Sequence, residues 1–329
     1  MTHVETTTPS SLVSPDRSVQ QVIAVASPKA GTGAGREQLP LLGQMLAENG
    51  IRFSQTSSIE ALKQCLQDSP CTDSKPYHSV VVAAGGDGTL SLVASSVDAR
   101  VSIVPMPLGT ENLLARYFGY QATAQCMFDA IMTGNSYRMD AGQANGKLFL
   151  IMASCGFDAE VVRGVHLKRR GHINRFSYAK PIWRAIRRYA FPEIHVTVDG
   201  PASKHEQNGD GEKELQLAAP VGWAMVFNLP RYGGGLMIEP DAIGTDGKLD
   251  VITFGKGSVT SGLRYFGGIV TGSHTKFSDV VRRRGKTIQI TSDTRVPYQL
   301  DGDYAGRLPL TIETLPRRLH LLLPAVGAQ

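Results

Sequence analysis

No apolar run in this 329-residue chain reaches the roughly 18–20 residues that a membrane-spanning helix needs. Any contact with a bilayer is therefore expected to be peripheral. Residues 1–20 lack the basic-then-apolar order of a secretory leader and are rich in Ser, Thr and Pro. They read as a disordered tail, and the expected location is the cytoplasm. Cysteine is scarce: Cys65, Cys71, Cys126 and Cys155 are scattered, with no histidine cluster beside them. That spacing supports neither a disulfide framework nor a zinc site, so reduced thiols are expected. The eight histidines show no metal-ligand spacing and read mostly as surface or strand residues. The Gly-Lys-Ser/Thr of a Walker P-loop is also missing.

What is present suits an ordinary globular chain, with 42% hydrophobic and 19% charged residues and a length that fits two domains. The net charge of +5 is unevenly spread. Residues 163–188 hold nine Lys/Arg and no Asp/Glu, and without those nine the rest of the chain carries −4. Within this stretch a helix is expected near 176–189, with Tyr178, Ile182, Trp183, Ile186 and Tyr189 on one side. Arg184, Arg187 and Arg188 fall on a neighbouring face, and Arg169 and Arg170 precede them. A solvated basic face is the plain reading. An anionic membrane surface is the sharper one. Nucleic acid is not expected, since neither a binding module nor interleaved stacking aromatics is visible. A smaller basic run, Arg282-Arg283-Arg284-Gly285-Lys286, reads as a solvated loop before a strand, with membrane contact as the second reading.

Along the chain, short β-branched runs alternate with helical spacing. Strands are expected at 21–27, 51–55, 79–84 and 101–106, and helices at 38–49, 58–67, 90–97 and 111–118. That alternation points to an open parallel sheet covered by helices. After Asp140 the pattern changes to strand-like pieces at 147–153, 195–198, 215–218, 223–227, 248–254, 287–291 and 298–300. Only a short helical stretch at 262–267 adds to the one at 176–189, and 203–214 reads as a polar loop. The expected division is a 1–20 tail, an α/β nucleotide-binding domain over 21–139 and a mostly antiparallel β domain over 140–307. Residues 308–325 could pack back on the first domain.

The chemistry concentrates at strand ends. Gly85-Gly86-Asp87-Gly88-Thr89 directly follows a buried strand. Ligands of open α/β sheets sit at the carboxyl ends of the strands, where glycines admit a phosphate to backbone N–H groups. An acid there suits either proton acceptance from a hydroxyl or a Mg²⁺ ion beside phosphates. A turn-forming Gly/Asp cluster is the plainer reading. Two other strands end alike, in Ser27-Pro28-Lys29-Ala30-Gly31-Thr32-Gly33 and in Pro107-Leu108-Gly109-Thr110. Three such loops on one sheet edge favour a phosphate site over chance turns.

These motifs, with 107–116 (PLGTENLLAR), 233–247 (GGGLMIEPDAIGTDG) and 300–303 (LDGD), resemble the diacylglycerol kinase catalytic-domain family over about residues 20–325. That family includes sphingosine kinases and bacterial lipid kinases. The resemblance implies a nucleotide domain like that of NAD kinases, with the active site in the cleft between it and a lipid-substrate domain. It places ATP against Ser27, Lys29, Gly31, Thr56, Gly86, Asp87, Gly88, Thr89 and Thr110. The proton-accepting carboxylate becomes Asp303, with Asp87 beside the phosphates or the nucleophile. A structural Mg²⁺ would map to the carbonyls of Ile243 and Lys248 and the side chain of Asp246. The substrate is a lipid alcohol, diacylglycerol-like or sphingoid-like, and a homodimer is left open. Ser27, Ser91, Leu92, Leu113 and Asp303 depart from the usual residues of the family. A soluble NAD-kinase-type enzyme and a non-catalytic lipid- or nucleotide-binding protein are the competing readings.

Overall fold

A computed structural model of the chain describes residues 19–26, 33–67, 79–133, 135–166, 189–199, 214–216, 219–233 and 235–324. Ser27, Lys29, Gly31, Arg169, Arg170, Arg184, Arg187 and Arg188 lie outside the described residues, as do Cys71 and all of the helix expected at 176–189 but its last residue.

The chain forms two compact units. The first contains β1 (Gln21–Ala26), α1 (Gly33–Glu48), β2 (Arg52–Thr56), α2 (Ile59–Gln67), β3 (Ser79–Gly85), α3 (Asp87–Ser96) and β4 (Ser102–Pro107). It also takes most of α4 (Leu113–Tyr117), α5 (Ala124–Thr133) and the start of β5 (Asn135–Ala144). The strands pair in parallel, in the order β2-β1-β3-β4. Every residue of β3 is buried, which is why it reads as a continuous apolar run rather than an alternation. Leu39, Leu42 and Leu46 of α1 and Met127 and Ile131 of α5 pack into one core with Val82 and Val104.

Three helix starts differ from expectation, and α3 begins at Asp87 rather than at 90. α1 begins at Gly33 and runs through Pro40, whose ring points to solvent while the three leucines anchor the other side. α4 begins at Leu113, because Asn112 sits in left-handed backbone with φ 49° and cannot be helical.

The second unit contains β6 (Lys147–Phe149), β7 (Met152–Cys155), α6 (Phe157–His166), β8 (His195–Asp199), β9 (Glu214–Gln216) and β10 (Trp223–Phe227). It continues with β11 (Arg231–Tyr232), β12 (Leu236–Met237), β13 (Leu249–Phe254), α7 (Val259–Thr271), β14 (Val280–Gly285), β15 (Thr287–Thr291), β16 (Pro297–Leu300) and β17 (Asp303–Arg307). One antiparallel sheet runs β14-β13-β10-β7-β16-β17. A second antiparallel set joins β15 to β8, β8 to β9, and β15 to the first residues of β18 (Leu310–Leu323). Val226 and Val251 from the first sheet and Val198, Ile288 and Ile312 from the second fill one apolar core, as in a β-sandwich. β18 then leaves this unit: from Leu319 it belongs to the first, where His320 and Leu321 pair in parallel with Ser102 and Ile103 of β4.

The basic run Arg282-Arg283-Arg284 is not a solvated loop. It is the middle of β14, paired to β13. Arg282 pairs with Glu239 and, at 2.8 Å, with Asp241, and Arg284 pairs with Asp246 and, at 2.8 Å, with Asp250. Acids distant in sequence supply the counter-charge, which a charge run alone does not reveal. His274 and His320 are buried, and His320 is held between the hydroxyls of Ser102 (3.2 Å) and Ser136 (2.7 Å). Cys65, Cys126 and Cys155 are free thiols.

Candidate active site

Parallel pairing fixes which strand ends meet. Thr56 ends β2 opposite Val25, and the β3 terminus Gly85 lies opposite Pro107, the last residue of β4. Ala26 of β1 pairs Ala84 of β3. The carboxyl ends of all four strands therefore share one edge, and the loop after β1 leaves from its middle.

The turn from β3 into α3 is built without bulk. A Cβ added to Gly85 would lie 2.2 Å from Thr89 Oγ1, so only glycine lets the first helical turn fold back this tightly. Gly86 is the N-cap in extended backbone (φ −92°, ψ −172°) and offers no side-chain oxygen to the helix. Its carbonyl accepts from the N–H of Thr89 (2.9 Å) and Leu90 (3.1 Å). Asp87 and Thr89 are half-buried and Gly88 is exposed, so the turn meets solvent at the positive end of a ten-residue helix. The Leu108 N–H donates to Gly85 O at 2.9 Å, tying the loop after β4 to the same turn. Thr56 is committed locally: its Oγ1 accepts from the Ser58 N–H at 3.1 Å, in the turn that starts α2. Thr110 is exposed, three residues past β4, and groups with the second unit. A surface depression lined by Pro40, Gly43, Arg52 and Phe53 lies at the amino end of β2, the wrong edge for this site.

In the second unit the Asp-Gly-Asp motif is a hairpin turn. Asp301 (φ 48°) and Gly302 (φ 89°) are both left-handed and join β16 to β17, with Leu300 opposite Asp303. The two acids of the motif do different things. The carboxylate of Asp301 accepts from the N–H groups of Leu150 (2.7 Å), Ile151 (2.8 Å) and Met152 (3.0 Å). Asp303 opens β17 and is exposed. Asp301 thus anchors the turn, and Asp303 is presented by it.

Sequence reasoning missed the group behind this turn. Gln299 is fully buried; its Oε1 accepts from the Gly302 N–H (2.7 Å) and its Nε2 donates to Ser154 Oγ (2.7 Å). Ser154 Oγ in turn donates to Asp158 Oδ2 at 2.5 Å. Burial pushes the Asp158 carboxyl up, against the hydrogen bond from Ser154. No local pattern marks these residues, because they converge from β7, α6 and β16. Asp140 was also missed. It is buried, its Oδ1 accepts from the Arg317 N–H and its Oδ2 from the Gly247 N–H, both at 2.7 Å, and burial raises its pKa.

The candidate metal position can be tested directly. Asp246 Oδ1 accepts from the Lys248 N–H (3.1 Å) and Oδ2 is taken by the Arg284 guanidinium. The Ile243 carbonyl accepts from the Thr245 N–H at 2.9 Å. A divalent ion needs several oxygen ligands free to turn towards it. Here a cationic side chain already neutralises the carboxylate, so this donor set does not fit a metal. Among the described residues no group of three or more His, Cys, Asp or Glu is placed to hold one. Burial pushes neighbouring Asp250 up to about 7, against the pull of Arg284.

Residues 21–144 match the diacylglycerol kinase catalytic domain, and residues 151–323 match the YegS C-terminal NAD kinase beta sandwich-like domain. A diacylglycerol kinase of Bacillus subtilis (strain 168) is 24% identical over 254 residues, covering 76% of this chain and 79% of that protein. A diacylglycerol kinase of Staphylococcus aureus (strain JH9) is 26% identical over 257 residues, covering 75% of each. The crystal structure of a diacylglycerol kinase from Bacillus anthracis str. Sterne superposes with a TM-score of 0.66 at 19% identity. It covers 94% of this chain and 99% of that one, and it bears out the α/β-plus-antiparallel-β fold.

Proposed function

The chain belongs to the bacterial diacylglycerol kinase family, and on that footing we propose that it is an ATP-dependent lipid kinase. The acceptor is the hydroxyl of a lipid alcohol, diacylglycerol-like or sphingoid-like, taken from a membrane surface. The nucleotide is assigned to the first unit and the acceptor to the second. The observation that carries this reading is the row of strand ends, Thr56, Gly85 and Pro107, with an uncapped helix start at Gly86–Thr89 on the same edge.

The chemistry follows from these groups. Backbone N–H groups of the Gly86–Thr89 turn and the positive end of α3 favour the triphosphate. Ser27, Lys29 and Gly31 would add contacts from the loop after β1. Asp87 would hold a nucleotide-bound magnesium ion or its waters, and that ion would supply positive charge to the phosphate oxygens. The lipid hydroxyl oxygen forms the new bond to the γ-phosphorus as the bridging oxygen leaves with ADP. The hydroxyl proton passes to the carboxylate of Asp303. Asp303 is exposed directly after the two-residue turn, so it can meet a substrate group that side chains in the core could not.

The test is turnover of labelled ATP with a panel of lipid alcohols in mixed micelles, with NAD as a water-soluble control acceptor. Lipid phosphorylation lost in both Asp87→Asn and Asp303→Asn is the expected result. Phosphorylation of NAD alone, or ATP binding with no transfer to any alcohol, would overturn it.

A further inference from the structure

We propose that the outer face of α7 is the surface by which this protein docks on a bilayer carrying anionic lipid. The claim rests on the lipid-kinase reading for its choice of occupant, and on the helix itself for its place.

The inner side of α7 is well fixed. Tyr265, Gly268 and Ile269 are buried, and the Tyr265 ring packs 4.8 Å from Phe254 and 6.5 Å from Phe277. The helix is capped at both ends: Ser258 Oγ accepts from the Ser261 N–H at 3.1 Å, and Gly272 closes it in left-handed backbone at φ 70°. Arg264 and Asp279 clamp it further through a two-pronged ion pair at 2.8 and 2.9 Å.

The outer side is where polar residues belong, and it is apolar. Leu263, Phe266 and Val270 are 64%, 57% and 58% exposed. At 3.6 residues per turn these three and Gly267 fall within about 100° of arc, opposite the buried positions. Singly exposed hydrophobics are ordinary, but three in one stripe on a capped helix call for a partner.

Charge selects the partner. Between Phe254 and Asp279 the chain has no Asp or Glu; with Arg264 paired to Asp279, Lys256 and Lys276 are the cations that remain there. Lys256 and Lys276 are exposed just before and just after the helix. An apolar stripe flanked by cations, with no acid in the helix, suits an interface-lying helix on an anionic bilayer. Size argues against a protein partner. The eight residues from Leu263 to Val270 span only about 10 Å of helix, and three side chains fall short of the roughly 800 Å² per partner of a stable protein interface. The same three side chains suffice for reversible peripheral binding, which a kinase drawing its substrate from a membrane needs.

The experiment is co-sedimentation of the full chain with phosphatidylcholine vesicles, with and without phosphatidylglycerol. Leu263→Ser/Phe266→Ser/Val270→Ser should weaken vesicle binding by about tenfold or more. Lys256→Gln/Lys276→Gln should lose only the part that depends on phosphatidylglycerol. Phe266→Ser alone, expected to cost about threefold, serves if the triple variant does not fold. Turnover of a short-chain acceptor dispersed as monomers should be unchanged in all three. Docking that depends on α7 in a protein that phosphorylates no lipid would uphold this surface and overturn the proposed function. Unchanged vesicle binding in the triple variant would overturn the surface. So would a wild-type dimer that the triple variant dissociates.

Discussion

The Gly302 N–H donates to Gln299 Oε1 at 2.7 Å, so the turn that presents Asp303 hangs from a side chain with no exposure to solvent. Gln299 is held in turn by Ser154 and, through it, by Asp158. Replacing Gln299 by Leu would leave the Gly302 N–H and the Ser154–Asp158 pair without their partner, at a cost of about 1–3 kcal/mol. Displacing a proton acceptor by even about 1 Å is enough to cost on the order of a hundredfold in rate. The expected outcome for Gln299→Leu is a kcat reduced far more than its stability loss implies, with KM for ATP little changed. Steady-state kinetics beside a denaturant titration would check it. A variant with lower stability and normal kcat would reduce the network to scaffolding.

The two acids of the turn should separate cleanly. Asp301→Asn keeps one acceptor oxygen where three N–H groups now bond to a carboxylate, so it should lose about 2–4 kcal/mol of stability. Asp303→Asn, at an exposed strand start, should cost less stability than Asp301→Asn and abolish transfer. Chemical denaturation and lipid phosphorylation on the same preparations give both readouts.

How much of this was legible in the sequence depends on how local the signal is. The parallel half was, because β1, β3 and β4 are buried on both faces and their apolar runs lead into loops rich in glycine and proline. The Gly85–Thr89 turn was legible for the same reason. α5, β5 and α6 were not expected, although α5 buries Ala124, Met127, Ala130 and Ile131 at ordinary helical spacing. The basic strand β14 was misread because its counter-charges, Glu239, Asp241, Asp246 and Asp250, come from β13 and the loop before it. The Asp301–Asp303 motif was recognised as a unit, but the division of labour within it depends on Leu150–Met152, some 150 residues away.

Gly85 tests the nucleotide edge. A methyl group there meets Thr89 Oγ1 at 2.2 Å and Thr89 Cβ at 2.5 Å, so Gly85→Ala must push the start of α3 away from β3. ATP affinity, measured by calorimetry on the full chain, should fall by about tenfold or more, since the turn then no longer lines up with the strand edge. Unaltered affinity would move the triphosphate away from this turn.

Arg284 tests the metal position. Because its guanidinium already pairs with both Asp246 and Asp250, a chelator should move the wild-type melting temperature by no more than about 1 °C. Arg284→Gln leaves these acids uncompensated and should melt earlier. Millimolar Mg²⁺ should then restore part of the loss, on the order of 1–3 kcal/mol at saturating ion. Chelator-sensitive melting of the wild type would return a metal to this site.

Asp279 gives a pH signature with a defined sign. The hydrogen bonds from Arg264 first, and from Tyr265 after them, hold its carboxyl down at about 2, below the ordinary 3.8. A carboxyl depressed in the folded state contributes stability that is complete above its unfolded value. That contribution drains away as pH falls through the window from 3.8 to about 2. Asp250, raised to about 7, works in the opposite sense: its burial makes the folded state bind the proton more tightly, so its contribution falls as pH rises from 3.8 to about 7. The two are separated by comparing the wild type with Asp279→Asn, in which the Asp250 effect cancels. Their difference in melting temperature should be constant above about pH 5 and shrink towards zero as pH approaches 2. A difference that persists at pH 2 would mean that Asp279 steadies α7 by shape rather than by charge.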